Sequence, residues 1–221
     1  SGDYDEALIT TNRLLKITKK LEDRSAEAQT LMQLGNIYYY KGDHLKALDF
    51  YKQSYELNLQ VGNKKIGGWC ANNIASVYEK MGDYENSINY FHTSLDIKEE
   101  IGDVAGMATT YGNIGKVYSA WANYSSAGAY FRKALNINMD IDQKEGIAFQ
   151  YMKLADNYIA LEMVDSALIS YSSALAYIDS TQNKRFKVEA LNGIGLIHLD
   201  WKRDLKTANQ KLKQLDKQKT E

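Results

Sequence analysis

A step of 40 residues constrains this chain more than any other feature. A small residue preceded by a large aliphatic one stands at 35, 75, 115, 155 and 195. The surrounding words are Leu34-Gly35-Asn36-Ile37-Tyr38, Ile74-Ala75-Ser76-Val77-Tyr78, Ile114-Gly115-Lys116-Val117-Tyr118, Leu154-Ala155-Asp156-Asn157-Tyr158 and Ile194-Gly195-Leu196-Ile197-His198. A fixed period of this length marks an array of supersecondary units, each burying its apolar face only against its neighbours.

Each period predicts two helices. Ile66, Cys70, Ile74 and Val77–Tyr78 recur at helical spacing and define one buried stripe. Gly82 ends that helix, because glycine accepts the left-handed backbone of a helix C-terminus. Asp83 then caps a second helix carrying Tyr84, Ile88, Phe91, Leu95 and Lys98. The punctuation returns as Gly42-Asp43, Gly62-Asn63 and Gly102-Asp103, and in altered form as Ala122-Asn123, Asp142-Gln143 and Gln182-Asn183. Glu162-Met163 lacks both glycine and cap, which predicts a tighter turn or a start shifted to Asp165.

The expected organisation is a single all-α array over residues 1–221. It comprises the second helix of an incomplete unit (1–22), full units at 23–62, 63–102, 103–142 and 143–182, and a last helix pair with a C-terminal cap (183–221). Leu205, Ala208, Leu212 and Leu215 supply the apolar side of that cap. The small residues at 35, 75, 115, 155 and 195 are expected to let the partner helix approach closely. Tyr38, Tyr78, Tyr118 and Tyr158 are expected to fill the space between units, with His198 in the same slot. Trp121 and Trp201 read as core.

Several function classes are disfavoured. The net charge of −1 offers no field for nucleic acid. No apolar run approaches the roughly 18 residues that would span a bilayer, so no membrane insertion is expected, and no signal-peptide pattern stands at Ser1. Cys70 is the only cysteine and forms no internal disulfide, which fits a cytoplasmic protein; an extracytoplasmic sensor region of a bacterial signalling protein is the alternative. His44, His92 and His198 lie at unrelated places, without metal-ligand spacing. No nucleophile elbow or phosphate loop occurs. The expectation is therefore no catalytic residue, no metal, no cofactor and no enzyme, with Cys70 a small buried residue.

The repeated residues resemble the tetratricopeptide repeat family. The family's order of large apolar, Leu-Gly, Tyr, Gly, Ala, aromatic and Ala-Leu is met by Leu34-Gly35, Tyr38, Gly42, Ala47, Tyr51 and Ser54-Tyr55. It is met again by Ile114-Gly115, Tyr118, Ala122, Ala127, Phe131 and Ala134-Leu135, and by Leu154-Ala155, Tyr158, Ala167, Tyr171 and Ala174-Leu175. The period is 40 rather than the commoner 34, and Gly-Asn or Gly-Asp replaces the family's proline. Both departures are similar to the long-repeat branch of Leu-Gly-Asn/Pins adaptors and kinesin light chains, and to repeat modules of bacterial signalling proteins.

The resemblance implies a right-handed α-solenoid whose first helices line a concave groove that takes a protein or peptide segment. The residues flanking the buried pairs would then face the groove: Gln29, Gln33, Asn36, Tyr39 and Tyr40; Trp69, Asn72, Asn73, Ser76 and Lys80; Thr109, Asn113, Lys116 and Ser119; Phe149, Met152, Lys153 and Asp156. Asn73 and Asn113 hold equivalent places one unit apart, with Gln33 before and Lys153 after. Carboxamides both donate and accept, so such a ladder suits an extended main chain. Trp69, Tyr39, Tyr40 and Phe149 are either aromatic anchors or packing between units. Lys80, Lys116 and Lys153 are either a basic strip for an acidic ligand or solvated charges balanced by Glu79 and Asp156. The family's carboxylate clamp does not carry over, because Met32 and Ser76 replace expected members. The expected function is a non-catalytic interaction module of a larger signalling or scaffold protein. A self-assembling module joined through its terminal helices and a peptide-sensing regulatory domain are the alternatives.

Overall fold

The computed structural model describes residues 2–181 and 183–200. These form the helices α1 (Gly2–Lys20), α2 (Arg24–Lys41), α3 (His44–Gln60), α4 (Lys64–Met81), α5 (Tyr84–Glu100), α6 (Val104–Ala120), α7 (Tyr124–Asp140), α8 (Lys144–Ala160) and α9 (Val164–Thr181). A further helical run, α10, covers 184–200. No strand occurs among the described residues, and the chain is an all-α helical repeat. Trp201 and the expected cap at Leu205, Ala208, Leu212 and Leu215 lie outside the described residues.

The turns follow from capping chemistry. Asp43 and Asp83 each accept from the backbone N–H three residues on, at Lys46 and Asn86. Asp103 does the same for Gly106, Asn63 for Ile66 and Asn123 for Ser126. This satisfies donors that the first turn leaves without intrahelical partners. Each preceding helix closes through a left-handed residue: Gly82 has φ +78°, and the Asp83 N–H donates to the Tyr78 carbonyl at 3.0 Å. The turn at Glu162 does not tighten or shift. Glu162 takes φ +59°, Met163 donates to the Tyr158 carbonyl at 2.9 Å, and α9 starts at Val164 rather than after Asp165. The backbone hydrogen bonds impose the same turn without glycine, at a cost of about 1 kcal/mol for a side chain in the left-handed region.

The helices gather into two compact units, residues 1–134 and 135–221. In the first, successive helices pack in chain order. Ala28 and Leu31 of α2 meet Leu57 of α3. Ala47 and Tyr51 of α3 meet Ile74 and Val77 of α4. Ala75, Phe91, Leu95, Ile114 and Val117 join α4, α5 and α6. At Gly35 α2 and α3 approach tightly, since a Cβ there would lie 2.5 Å from the Tyr51 ring. Gly115 meets Phe131 of α7 at the same distance. In the second unit α8, α9 and α10 share Ala148, Met152, Ala155, Ala167, Tyr171, Ile178, Ala190 and Ile197.

Three expectations about packing change. The close approach expected at Gly195 is to the element carrying Lys211, at the place corresponding to Tyr51 and Phe131, and lies outside the described residues; a further close approach in α10 falls at Gly193, which faces the Tyr171 ring. Trp121 is 51% exposed rather than core; its ring stacks on Tyr118 and tilts against Tyr84. His198 is exposed rather than occupying a buried slot. Met152, placed in the groove by its offset, is buried in the core of the second unit, because the apolar stripe of α8 is wider than the two-residue pair suggests.

Candidate functional site

The first helices of the first unit carry polar and aromatic side chains on the face adjoining their buried stripe. Asn36 lies two residues after Leu34, and Asn72 and Asn73 immediately precede Ile74. At 3.6 residues per turn these offsets sit at the margin of the stripe. They are therefore half-buried rather than solvated. A cavity of about 410 Å³ opens there, lined from α2 by Met32 and Asn36, from α4 by Trp69, Asn72 and Asn73, from α5 by Lys98, and from α6 by Gly106 and Thr109. A second, of about 200 Å³, shares Asn36 and Asn73 and adds Tyr39, Tyr40, Tyr51 and Ser76.

Hydrogen bonds divide the carboxamides into held and free groups. Asn113 Nδ2 donates to Asn72 Oδ1 at 3.3 Å, and Thr110 Oγ1 reaches the same oxygen at 3.5 Å. The ladder therefore steps diagonally from Asn113 to Asn72 rather than running through equivalent positions. Asn73 has no hydrogen-bond partner among the described residues, so its donor and acceptor are both available. Asn36 Oδ1 accepts from the Tyr51 hydroxyl at 2.7 Å. Burial of Tyr51 raises its pKa, which keeps that hydroxyl a donor.

The aromatic groups differ in setting. Tyr40 is 71% exposed and meets Tyr39 edge-to-face at 5.6 Å. Trp69 keeps its indole at the cavity, with Lys65 Nζ 5.5 Å from the ring centroid. Ser76 turns its hydroxyl onto the Asn72 carbonyl at 3.0 Å. Gln33, Thr109 and Lys80 are exposed, while Lys116 and Ser119 are half-buried on α6.

In the second unit, Lys153 forms an ion pair with Asp156 at 2.7 Å and approaches Glu189 at 3.9 Å. It also sits over Phe149, 5.5 Å from the ring centroid, and Phe149 packs against Phe186 at 5.9 Å. For Lys153 and Phe149 the balanced charge and the packing role describe what is seen. Asp156 also accepts from the Tyr171 hydroxyl at 2.6 Å.

Sequence reasoning missed two features. Tyr51 and Tyr171 each bond a side chain fifteen residues earlier, Asn36 and Asp156. The signal was present in the chain: the corresponding aromatics at 91 and 131 are phenylalanines, and their counterparts are Ser76 and Lys116. The second feature is Lys98, read as part of an apolar stripe. It is only 3% exposed, donates to Thr110 Oγ1 at 2.6 Å and to the Gly106 carbonyl at 3.3 Å, and lines the larger cavity. Burial pushes its ammonium down to about 8, with the Asp103 charge opposing.

Cys70 is fully buried, 3.1 Å from Ser54 Oγ, and burial pushes its thiol up to about 11. That makes it a packing residue rather than a nucleophile at neutral pH. Among the described residues no group of three or more His, Cys, Asp or Glu side chains is placed to hold a metal ion. No described helix is long and apolar enough to cross a membrane.

Comparison with known proteins adds the family. No curated protein matches the sequence. Among solved structures, BtubC (BKLC) from P. vanneervenii is similar at a TM-score of 0.72 and 16% identity, over 94% of this chain and 92% of that one. Aspartyl phosphate phosphatase F from Bacillus subtilis is similar at 0.78 and 18%, over 94% of this chain and 59% of that one. A Rap protein complexed with Competence and Sporulation Factor is similar at 0.73 and 15%, over 86% and 53%. The chain thus spans little more than half the length of the latter two, and identities this low speak for the fold alone. The tetratricopeptide repeat model matches residues 1–60 and 70–140, which include the Gly42-Asp43 and Gly82-Asp83 turns and the close approaches at Gly35 and Gly115, and the chain belongs to the tetratricopeptide repeat family.

Proposed function

We propose that the chain is a non-catalytic interaction module that binds an extended segment of a protein or peptide on the α2, α4 and α6 face of its first unit. The observation that carries this reading is the convergence of Asn36, Asn72, Asn73 and Trp69 on one cavity. Carboxamides on neighbouring helices match the alternating donors and acceptors of an extended main chain, and an indole beside them offers an anchor. The Rap neighbour was solved with a bound factor, which supports a ligand-binding role for this fold. The resemblance to repeats of signalling proteins supports a signalling or scaffolding setting.

The test is selection of a displayed random-heptapeptide library on the full chain. Recovered peptides are then titrated by fluorescence anisotropy against the wild type and the Asn73→Ala/Asn113→Ala double variant. The expected result is a loss of about tenfold or more in affinity. A library that yields no binder, or a double variant that binds like the wild type, removes the reading.

A second reading, self-association, is favoured by one observation. α1 exposes Ile9 (73%), Leu14 and Ile17, and the turn after it exposes Leu21 (70%), a concentration of apolar surface at one element. Light scattering that finds a strict monomer at high concentration excludes it.

A further inference from the structure

Lys98 occupies a repeated buried position. Its counterparts are Thr18, Asn58, Asn138 and Ile178, each also buried. Four of the five side chains are neutral and one is a cation. The ammonium has three N–H donors. Two are taken by neutral acceptors, the Thr110 hydroxyl and the Gly106 carbonyl, which leaves one uncommitted. Among the described residues no carboxylate forms an ion pair with Lys98. Asp103, whose charge it feels, is engaged in capping α6 through the Gly106 N–H at 2.9 Å. A buried cation without an anion is costly to retain, yet this one borders the larger cavity beside Asn72, Asn73 and Trp69.

We propose that Lys98 is the receptor for a carboxylate on the bound segment, its third N–H meeting one carboxylate oxygen while the Asn73 amide donates to the other. This rests on the peptide-binding reading above. A carboxylate fits better than a phosphate, because among the described residues Lys98 is the one cation lining the cavity and a phosphate dianion calls for more positive charge. The lysine projects from a second helix, so groove reasoning confined to first helices passes over it. The carboxylate belongs either to an Asp or Glu side chain or to a chain terminus.

Four small probes on the full chain test this by NMR, read at the Lys98 ammonium and the Asn72 and Asn73 amides. N-acetylglycine presents a terminal carboxylate and N-acetyl-aspartate methylamide a side-chain one. N-acetylglycinamide and N-acetyl-asparagine methylamide are their neutral counterparts. The expected result is that at least one acid shifts these signals at millimolar concentration, about tenfold more tightly than its neutral counterpart. The better acid identifies the source. Lys98→Asn, which installs the residue found at 58 and 138 and so suits the fold, should abolish the preference for acid over amide. Equal binding of acid and amide overturns the proposal, as does undiminished acid binding by Lys98→Asn or no response to either acid at tens of millimolar. Peptides selected from the library would still bind in those cases if the main-chain reading is correct, so the two failures are distinguishable.

Discussion

Two lysines mark the difference between the halves of this molecule. Lys98 in the first unit is buried against neutral acceptors beside a cavity. Lys153 in the second unit is paired with Asp156 and covers Phe149. Equivalent offsets behave just as differently. Asn72 and Asn73 of α4 open onto the cavity, whereas Met152 of α8 is core and Lys153 is neutralised. A repeat array reuses one packing scheme, but the chemistry at the margin of each stripe is set unit by unit. The first unit leaves the donor and acceptor of Asn73 uncommitted beside its cavity, whereas at the equivalent offset of the second unit Lys153 is paired with Asp156.

The largest expected effect tests that contrast through stability. The Lys98 pKa falls from 10.5 to about 8 on folding, a gap equivalent to about 3 kcal/mol against the charged form. Lys98→Met should therefore stabilise the chain at pH 7 by up to about 3 kcal/mol in denaturant unfolding. Thr110 Oγ1 already donates to the Gly106 carbonyl at 3.0 Å, so neither partner is orphaned. Lys153→Met, at a partly exposed pair, should change stability by no more than about 0.5 kcal/mol. The sign with pH follows from linkage. Between about pH 8 and 10.5 the unfolded chain holds the Lys98 proton and the folded chain does not, so wild-type stability rises with pH relative to Lys98→Met. A wild-type-minus-variant difference that stays flat over that window contradicts a buried, desolvated Lys98.

A smaller effect contrasts the glycines. A Cβ at Gly35 meets the Tyr51 ring, and one at Gly67 of α4 meets Leu59 Cδ2 at 3.5 Å, ordinary contact. Gly35→Ala should cost about 2 kcal/mol through overpacking, while Gly67→Ala should be neutral or gain up to about 1 kcal/mol of helix propensity. Thermal melts of the two variants should move in opposite directions or differ clearly in size.

The next comparison concerns recognition. Asn73→Ala should weaken a selected peptide by about tenfold, near 1.4 kcal/mol, and Lys153→Ala by less than about twofold. Equal losses in an anisotropy titration would place the ligand elsewhere. Smallest is Tyr51→Phe, which removes the bond to Asn36 and should cost about 1 kcal/mol of stability. A cost indistinguishable from zero would show that Asn36 is not held by Tyr51 in solution.

Much of the fold was legible because its signals are local. Glycine followed by Asp or Asn names a helix end and the next cap within two residues, as at Gly42-Asp43 and Gly82-Asp83. The exception at Glu162 shows the limit: the backbone closes the same way when the residue is unfavourable, because Met163 and Tyr158 supply the hydrogen bond whatever their side chains. The candidate site was legible as a face rather than as a set of states. The offsets selected Asn36, Trp69, Asn72 and Asn73, which share a cavity, but also Met152 and Gln33, which take no part in it. A stripe's width depends on how closely the neighbouring helix packs, and no single helix carries that information.

By itself the sequence determined, over the described residues, the kind of elements and where most of them end. These follow from 3.6-residue periodicity and capping, which act within a few residues of the chain. Only the tertiary structure decided which polar groups are occupied. The Asn113–Asn72 bond links residues 41 apart, the Tyr51–Asn36 bond joins α3 to α2, and Lys98 is buried because α6 brings Gly106 and Thr110 to its ammonium. Hydrogen bonding and desolvation depend on which atoms meet across helices, and that meeting exists only once the units have packed.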